Sequence, residues 1–317
     1  MGVRLYQGGL DMMNAAGKVR VQSMREAKFR ENIAGYLFMA PALLFFFGFV
    51  IFPMGMCLYT SFFNYTMTDF SFIGFGNYAE MFGDAVFIKA LTNTIIIVLV
   101  SVPFTCFFSL WAATLIYRMR NRWAGLFRCV FYLPVVTGSV AVTVVWKWIF
   151  NRYYGILNYL LVNMGVIGRS INWLGDAQYA LGCIITILLT TSVGQPIVLY
   201  VSALSNVDHS LIEAAEVDGA NNLQVFWRIK WPQIMPTTLY ILVITTINSF
   251  QCFALIQLLT SGGPTHSTET IMYYIYYMSI SGNLNRYGYG SAMGVILALI
   301  IAAFSAVQFK LARTDNG

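Results

Sequence analysis

A short polar stretch lies inside the apolar run at 237–259, and its residue types are suited to binding a solute. Four side chains follow the helical spacing i, i+3, i+4 and i+7, with an amide beside them: Thr245, Asn248, Ser249, Cys252 and Gln251. Hydroxyls and amides both donate and accept hydrogen bonds, which suits a solute with several hydroxyl groups. Equally, these side chains could bridge neighbouring helices, because unpaired polar groups facing lipid are costly.

Residues for covalent or metal chemistry are not grouped in this sequence. The two histidines, His209 and His266, lie outside the long apolar runs, and the sequence has no Gly-x-x-x-x-Gly-Lys-[Ser/Thr] phosphate loop. The five cysteines lie in or beside apolar runs rather than at metal-site spacing. We therefore expect no catalytic residue, no metal site and no cofactor in this chain. Energy for any transport would then come from another protein.

Six apolar runs must position the polar stretch, and each is long enough to cross a bilayer as a helix of about 20 residues. Hydrophobic residues make up 58% of the 317 positions and charged residues 10%, against roughly 25% charged in soluble domains. The runs are continuous, which favours helices over the alternating strands of a barrel. We predict spans at about 36–59, 91–116, 129–148, 181–204, 237–259 and 288–309.

The basic residues are distributed unequally between the segments that join these spans. Fourteen Lys and Arg residues lie on the side of the N-terminal tail, and four lie on the opposite side. Because Lys and Arg are enriched in cytoplasmic segments, we predict that both termini are cytoplasmic. The span interiors hold no Asp, Glu, Lys, Arg or His, which argues against a proton-coupled carrier or a channel with charged rings.

The segment between the fourth and fifth spans is charged and helix-forming: SLIEAAEVDGANNLQVFWRIKWPQIMP, at 210–236. Ser210 and Glu213 have the spacing of a capping box, which predicts a short helix that runs to about Val217. Gly219 then suits the left-handed bend that ends a helix.

A second helical stretch is expected from about Asn222 to Trp231, before Pro232. In the first helix, the small side chains of Ala214 and Ala215 would let the surface of another protein approach closely. An ordinary surface loop with two helical turns is the alternative.

The spacing of this segment resembles the cytoplasmic signature loop of ABC importer permeases, which reads Glu-Ala-Ala, then Gly, then Ile-x-Leu-Pro. Trp231 stands where Leu is usual. Four further stretches resemble carbohydrate permeases of the maltose-transporter type in the same order: NYAEMFGDAVFIKALTNT (77–94), WKWIFNRYYGILN (146–158), LTSGGPTHST (259–268) and YGYGSA (287–292). The resemblance begins at about residue 34.

This resemblance implies an all-α, polytopic membrane protein with the six transmembrane helices of the type I ABC importer permease fold. It implies that Thr245, Ser249 and Gln251 contribute substrate contacts. It also implies a coupling loop that docks on the ATPase through Glu213, Ala214, Ala215, Asp218, Gly219, Ile229 and Pro232. The implied partners are a second permease, two ATPase subunits that bind ATP and Mg, and an extracytoplasmic sugar-binding protein.

We divide the chain into a basic cytoplasmic tail at 1–33, a permease domain at 34–310 with its coupling loop at about 205–236, and a cytoplasmic tail at 311–317. The predicted function is carbohydrate import as the permease subunit of an ATP-driven ABC importer, in a bacterial or archaeal cytoplasmic membrane. The alternative is an ATPase-independent carrier or channel for a small polar solute.

Overall fold

The computed structural model describes residues 28–282 and 285–314, with the side chains of 311–314 left out. The chain divides into two compact units after Cys57. In the first unit, the described residues belong to one helix, α1 (Lys28–Thr60), which contains a π turn at Phe47–Ile51. The predicted tail at 1–33 lies outside the described residues as far as residue 27, and its last six residues are helical.

The second unit begins with the last residues of α1, from Leu58 to Thr60, and continues with a small hairpin of β1 (Phe63–Tyr65) and β2 (Phe70–Phe72), in which Phe63 lies opposite Phe72. A π turn at Phe226–Lys230 later joins two helices, and another at Tyr277–Ser281 extends a third. The helices of this unit are α2 (Gly76–Gly83), α3 (Ala85–Tyr117), α4 (Asn121–Val136), α5 (Ser139–Ile149), α6 (Ile156–Asn163), α7 (Ala177–Ser192), α8 (Gly194–Ser205), α9 (His209–Val217), α10 (Asn222–Val225), α11 (Trp231–Phe250), α12 (Ala254–Leu259), α13 (Ile271–Tyr276) and α14 (Tyr287–Thr314).

Five helical segments are long and apolar enough to cross a membrane, and they match five of the six predicted spans. They are Lys28–Thr60, Ala85–Tyr117, Ala177–Ser205, Asn222–Leu259 and Tyr287–Lys310. We refer to them as the first, second, fourth, fifth and sixth spans. The all-α class and the multi-pass architecture are therefore confirmed.

The predicted third span at 129–148 is wrong as a continuous helix. Helices α4 and α5 meet at 97°, and together they form a sixth span only if a bent pair is counted as one. Thr137 and Gly138 between them have extended backbone angles. Pro134, inside α4, has no backbone N–H to donate and disfavours a regular helix around it. The bend follows directly after this weakened turn.

Helix α3 lies at the centre of the packing in the second unit. Its half near Tyr117 packs with α8 and α11 in a cluster that includes Ile116, Tyr200 and Ile241. Its half near Ala85 packs with α13 and α14 in a second cluster, which includes Phe87 and Tyr289. We call these halves the Arg118 end and the Asp84 end. A third cluster joins α5, α7 and α12, so α11 and α12 connect all three.

Candidate functional site

A cavity of about 410 Å³ lies between the third, fourth and fifth spans. Residues at an interruption in each of these spans line it: Thr137 where α4 meets α5, Ser192 where α7 meets α8, and Gln251 where α11 ends. Irregular backbone at membrane depth is tolerated where it lines a polar cavity, because the cavity can satisfy its N–H and C=O groups. The helix interruptions of the three spans therefore lie together in the wall of one cavity.

The polar stretch of the fifth span is divided between this cavity and the protein interior. Thr245, Asn248 and Gln251 line the cavity, as does Cys252. Ser249 does not: its side chain is 3% exposed and its hydroxyl shares a 2.8 Å hydrogen bond with that of Ser101.

The structure therefore places Ser249, one of the predicted substrate contacts, between two spans and not among the residues that line the cavity. Asn248 and Ser249 lie at the two edges of the polar face, about 100° apart around the helix, and only Asn248 lines the cavity. The stretch thus contains two kinds of residue: Ser249 bridges two spans, and Asn248 faces the cavity.

Several polar side chains of the cavity were not identified in the sequence. Gln195, in the first turn of α8, adds an amide opposite the fifth span, and further hydroxyls come from Thr137, Ser139, Thr191 and Ser192. These residues lie in segments that only tertiary packing brings together. The signals available were Pro134 and Pro196, which mark the places where the helices depart from regularity.

The loop between the fourth and fifth spans contains the short helix that its sequence predicts, but with a different cap. Asp208, rather than Ser210, caps α9, and its carboxylate accepts from the Ser210 N–H at 2.9 Å. That backbone hydrogen bond holds the pKa of Asp208 below its ordinary value. The capping box proposed for Ser210 and Glu213 is therefore wrong. Asp and Ser cap helices about equally well, and here the helix begins at His209.

A true capping box starts the next helix, with Asn221 and Gln224 exchanging hydrogen bonds of 2.9 and 2.8 Å. Between the two helices, Gly219 has a φ of 80°, which confirms the predicted left-handed bend. The N–H of Ala220 returns to the carbonyl of Ala215 at 2.9 Å, as expected of a helix stop of this kind.

One side of the loop packs on the bundle and the other is exposed. Ile212 and Val225 are buried in the cluster at the Arg118 end, with Ala215 and Ile229 packed against it. The predicted docking residues that remain exposed are Glu213, Ala214, Asp218, Gly219 and Pro232. Two apolar side chains that the sequence did not single out, Leu211 and Val217, extend this exposed face. The loop is thus a fixed platform with a mixed apolar and acidic surface.

The Asp84 end of the bundle is closed by a polar network. The Asp84 carboxylate accepts from the hydroxyls of Tyr274 and Tyr289 at 2.6 and 2.8 Å. Burial would raise its pKa, but these bonds and the backbone bond from Val86 outweigh burial and lower it. Nearby, Arg286 donates to both oxygens of Glu80 at 2.7 and 2.5 Å, which lowers the pKa of that carboxyl.

A third acid at the Asp84 end, Glu269, has its pKa shifted in the opposite direction. Its side chain is 3% exposed and its carboxylate is paired with His266. Burial outweighs this partner and raises its pKa. Asn93 holds the segment in place by donating to the carbonyls of His266 and Glu269 at 3.1 and 2.9 Å. Within the described ranges, no group of three His, Cys, Asp or Glu residues is placed to hold a metal ion.

A helical, multi-pass membrane protein with a polar cavity among interrupted spans and a fixed platform outside them has the architecture of a transport permease. The sequence profile of the "Binding-protein-dependent transport system inner membrane component" family matches residues 87–314. The chain belongs to this family of ABC transporter permeases. It is therefore an integral membrane protein of the transport class.

Curated relatives match over nearly the whole length of the chain. A probable ABC transporter permease protein, YurN of Bacillus subtilis, is 33% identical over 90% of this chain and 98% of its own length. The lactose transport system permease protein LacF of Rhizobium radiobacter is 32% identical over 89% and 95%.

A solved structure shares the fold. It is that of a bacterial alginate ABC transporter in complex with an alginate pentasaccharide-bound periplasmic protein, with a TM-score of 0.78. The structural alignment covers 90% of this chain and 96% of the matching transporter chain, and the sequence identity is 24%. The likeness supports the six-span permease fold predicted from the sequence. Family membership also favours the importer over the ATPase-independent carrier or channel.

Proposed function

We propose that this chain forms the carbohydrate pathway of an ATP-driven importer, as one of its transmembrane permease subunits. The observation that carries the proposal is the cavity, in which interruptions of three spans gather the amides of Gln195, Asn248 and Gln251 with several hydroxyls. Amides both donate and accept hydrogen bonds, as the hydroxyls of a sugar do. The relation to a lactose permease supports this substrate class.

Within the cavity, Thr245, Asn248 and Gln251 are the proposed substrate contacts from the fifth span. The ring of Phe253 lines the same space. Its centre lies 5.0 Å from the centre of the Tyr276 ring, in an edge-to-face contact. An aromatic face beside convergent amides is suited to a sugar ring, which has apolar faces and a polar rim. Ser249 is left out of this set because its hydroxyl is engaged with Ser101.

The platform between the fourth and fifth spans is the proposed coupling site. The exposed residues that would meet an ATPase are Glu213, Ala214, Asp218, Gly219 and Pro232, joined by Leu211 and Val217, while Ala215 and Ile229 of the predicted set pack beneath them against the bundle. Because Ile212 and Val225 anchor the platform to the cluster of α3, α8 and α11, a force on α9 would move those spans. ATP and Mg would be bound by the separate ATPase and not by this chain.

The proposed setting is the cytoplasmic membrane of a bacterium or archaeon, with both termini in the cytoplasm. The excess of Lys and Arg beside the Arg118 end supports this orientation. The proposed assembly contains a second permease, two ATPase subunits and an extracytoplasmic sugar-binding protein. The Asp84 end would then face the binding protein, and the platform would face the ATPase.

The test is sugar uptake into vesicles that contain the purified complex. An importer needs the ATPase and its ATP, so uptake should stop when ATP is left out of the compartment that the platform faces. Affinity-tagged permease should also bring down an ATPase of the ABC class. Sugar uptake by this chain alone, independent of ATP, would instead establish a carrier or channel.

A further inference from the structure

A second cleft, of about 760 Å³, lies on the other face of the fifth span, at the Arg118 end of α3. We propose that this cleft binds an anionic phospholipid of the adjoining leaflet, with an acyl chain along its aromatic wall and its phosphate beside Arg118 and Lys230. In the orientation proposed above, this is the cytoplasmic leaflet. The lipid site does not depend on which sugar is transported.

The wall of the cleft is apolar and aromatic, and much of it is open on the surface of the chain. The α3 side presents Phe107 and Trp111, and the facing segment presents Leu223, Trp227 and Trp231. Leu223 is 70% and Trp227 is 58% exposed. Tryptophan is enriched where the hydrocarbon of a bilayer meets its headgroups. Such a wall suits the acyl chain and glycerol region of a lipid.

One end of the cleft carries positive charge that no salt bridge neutralises among the described residues. Arg118 lines it directly after the end of α3. Lys230 is not among the residues that line the cleft, but it lies near enough to Arg118 for their charges to repel each other, with the Glu216 carboxylate also in the vicinity. Among the described carboxylates, none forms a salt bridge with either cation. The Lys230 ammonium instead lies 5.2 Å from the centre of the Tyr117 ring. A phosphate between these two side chains would neutralise the repulsion.

A lipid suits the charge of this cleft better than a membrane-spanning helix does. The spans of this chain carry no Asp or Glu in their interiors, so a second copy would bring no acid to Arg118 and Lys230. Free phosphate would meet the two cations but leave the aromatic wall uncovered. A phospholipid supplies the anion and the apolar chain in one molecule.

The experiment measures phospholipid retained by the purified transporter complex. The complex is exchanged into vesicles of phosphatidylcholine with a minor share of phosphatidylglycerol, extracted with mild detergent and examined by native mass spectrometry. We expect preferential retention of phosphatidylglycerol. Each basic residue near a membrane surface contributes about 1 kcal/mol, so Arg118→Gln and Lys230→Gln should each lower retention roughly 5-fold.

Two matched variants remove the same charge outside the cleft, at exposed positions on the same side of the chain: Arg122→Gln and Arg228→Gln. Retention should be unchanged in both. An equal loss in these controls, or equal retention of phosphatidylcholine, would overturn the proposal. Added inorganic phosphate should not displace the lipid, and displacement would identify an ion site instead.

A benzophenone photo-crosslinker in place of Leu223 distinguishes a lipid from a protein occupant without changing the charge. Cross-linking to acyl-labelled phosphatidylglycerol is the expected result. A cross-link to the second permease would show that the cleft is a protein interface. ATP-dependent sugar uptake is measured in parallel, since its failure would concern the proposed transport function and not the lipid site.

Discussion

Ser101 of the second span and Ser249 of the fifth share a hydrogen bond of 2.8 Å, and this bond directs Ser249 away from the cavity that Asn248 lines. Asn248→Leu should therefore raise the sugar concentration for half-maximal uptake by about 10-fold, since a lost hydrogen bond costs about 1–2 kcal/mol. Ser249→Ala should leave that concentration unchanged and lower thermal stability. Uptake kinetics of both variants check this, and equal effects on sugar affinity would contradict the assignment.

Gly219 gives a test of the coupling platform with a matched control. Its φ of 80° strains any residue with a Cβ, yet no other atom lies within 4 Å of the position that a Cβ would take. Gly165 shares both properties, with a φ of 70°, on a different loop. Each Ala substitution should cost about 1 kcal/mol. Gly219→Ala should lower sugar-stimulated ATP hydrolysis several-fold, and Gly165→Ala should not.

Glu213→Lys reverses a charge on the exposed face of α9 and should separate docking from folding. Because the side chain makes no part of the buried cluster, we expect the permease to insert and keep its thermal stability. Co-purification of the ATPase should fall together with stimulated ATP hydrolysis. Normal stimulation would show that Glu213 lies outside the interface.

The close packing of α4 on α8 depends on Gly194. A Cβ there would clash with the Phe131 carbonyl oxygen and would lie 2.8 Å from Cγ2 of Val135. Gly194→Ala should therefore destabilise the domain by about 1–3 kcal/mol. Gly182, on the same span, has nothing within 4 Å of its Cβ position, so Gly182→Ala should be neutral or stabilising. Thermal unfolding in detergent compares the two, and equal effects would contradict the packing.

Two carboxyls at the Asp84 end should affect stability with opposite dependence on pH. Burial raises the pKa of Glu269 above its ordinary 4.5, so its contribution is fully present below that value and is lost as pH rises through the folded pKa. Glu269→Gln should therefore gain stability relative to the natural chain as pH increases from about 4 to 8.

Glu80 provides the matched case of opposite sign. The hydrogen bonds and charge of Arg286 lower its pKa, so its contribution is present above 4.5 and is lost as pH falls through the folded pKa. Glu80→Gln should therefore lower the stability of the chain least at acidic pH. The effect should be small, because the Glu80 side chain is half exposed. Melting temperatures of both variants across pH check the signs, and parallel curves would contradict them.

The spans and the platform could be predicted because each depends on local composition. A helix across a bilayer needs a long apolar run, and the bend after α9 needs a residue that accepts positive φ, as Gly219 does. The cap was ambiguous, since Asp208 and Ser210 are both good capping residues two positions apart. Only the position of the neighbouring turns decides between them.

The cavity could be predicted only in part, because it depends on how separate spans pack. Pro134 indicates an irregular helix, but the 97° bend between α4 and α5 is set by tertiary contacts. Gln195 does not belong to a polar pattern at helical spacing within its own helix, so nothing in the sequence links it to Asn248. The direction of Ser249 followed from its bond to Ser101, which is 148 residues distant in the chain.

The contacts of Asp84 connect residues that a ribosome produces at very different times. Its two tyrosine donors follow 190 and 205 residues later, and Asn93 reaches the Glu269 carbonyl across 176 residues. During synthesis the second span is therefore complete long before the groups that close its Asp84 end exist. A nascent chain that stops ahead of Tyr287 leaves the carboxylate short of one donor and the sixth span missing. The sixth span, which is translated after the other five, thus supplies the second hydroxyl donor to a carboxylate that was made 205 residues earlier.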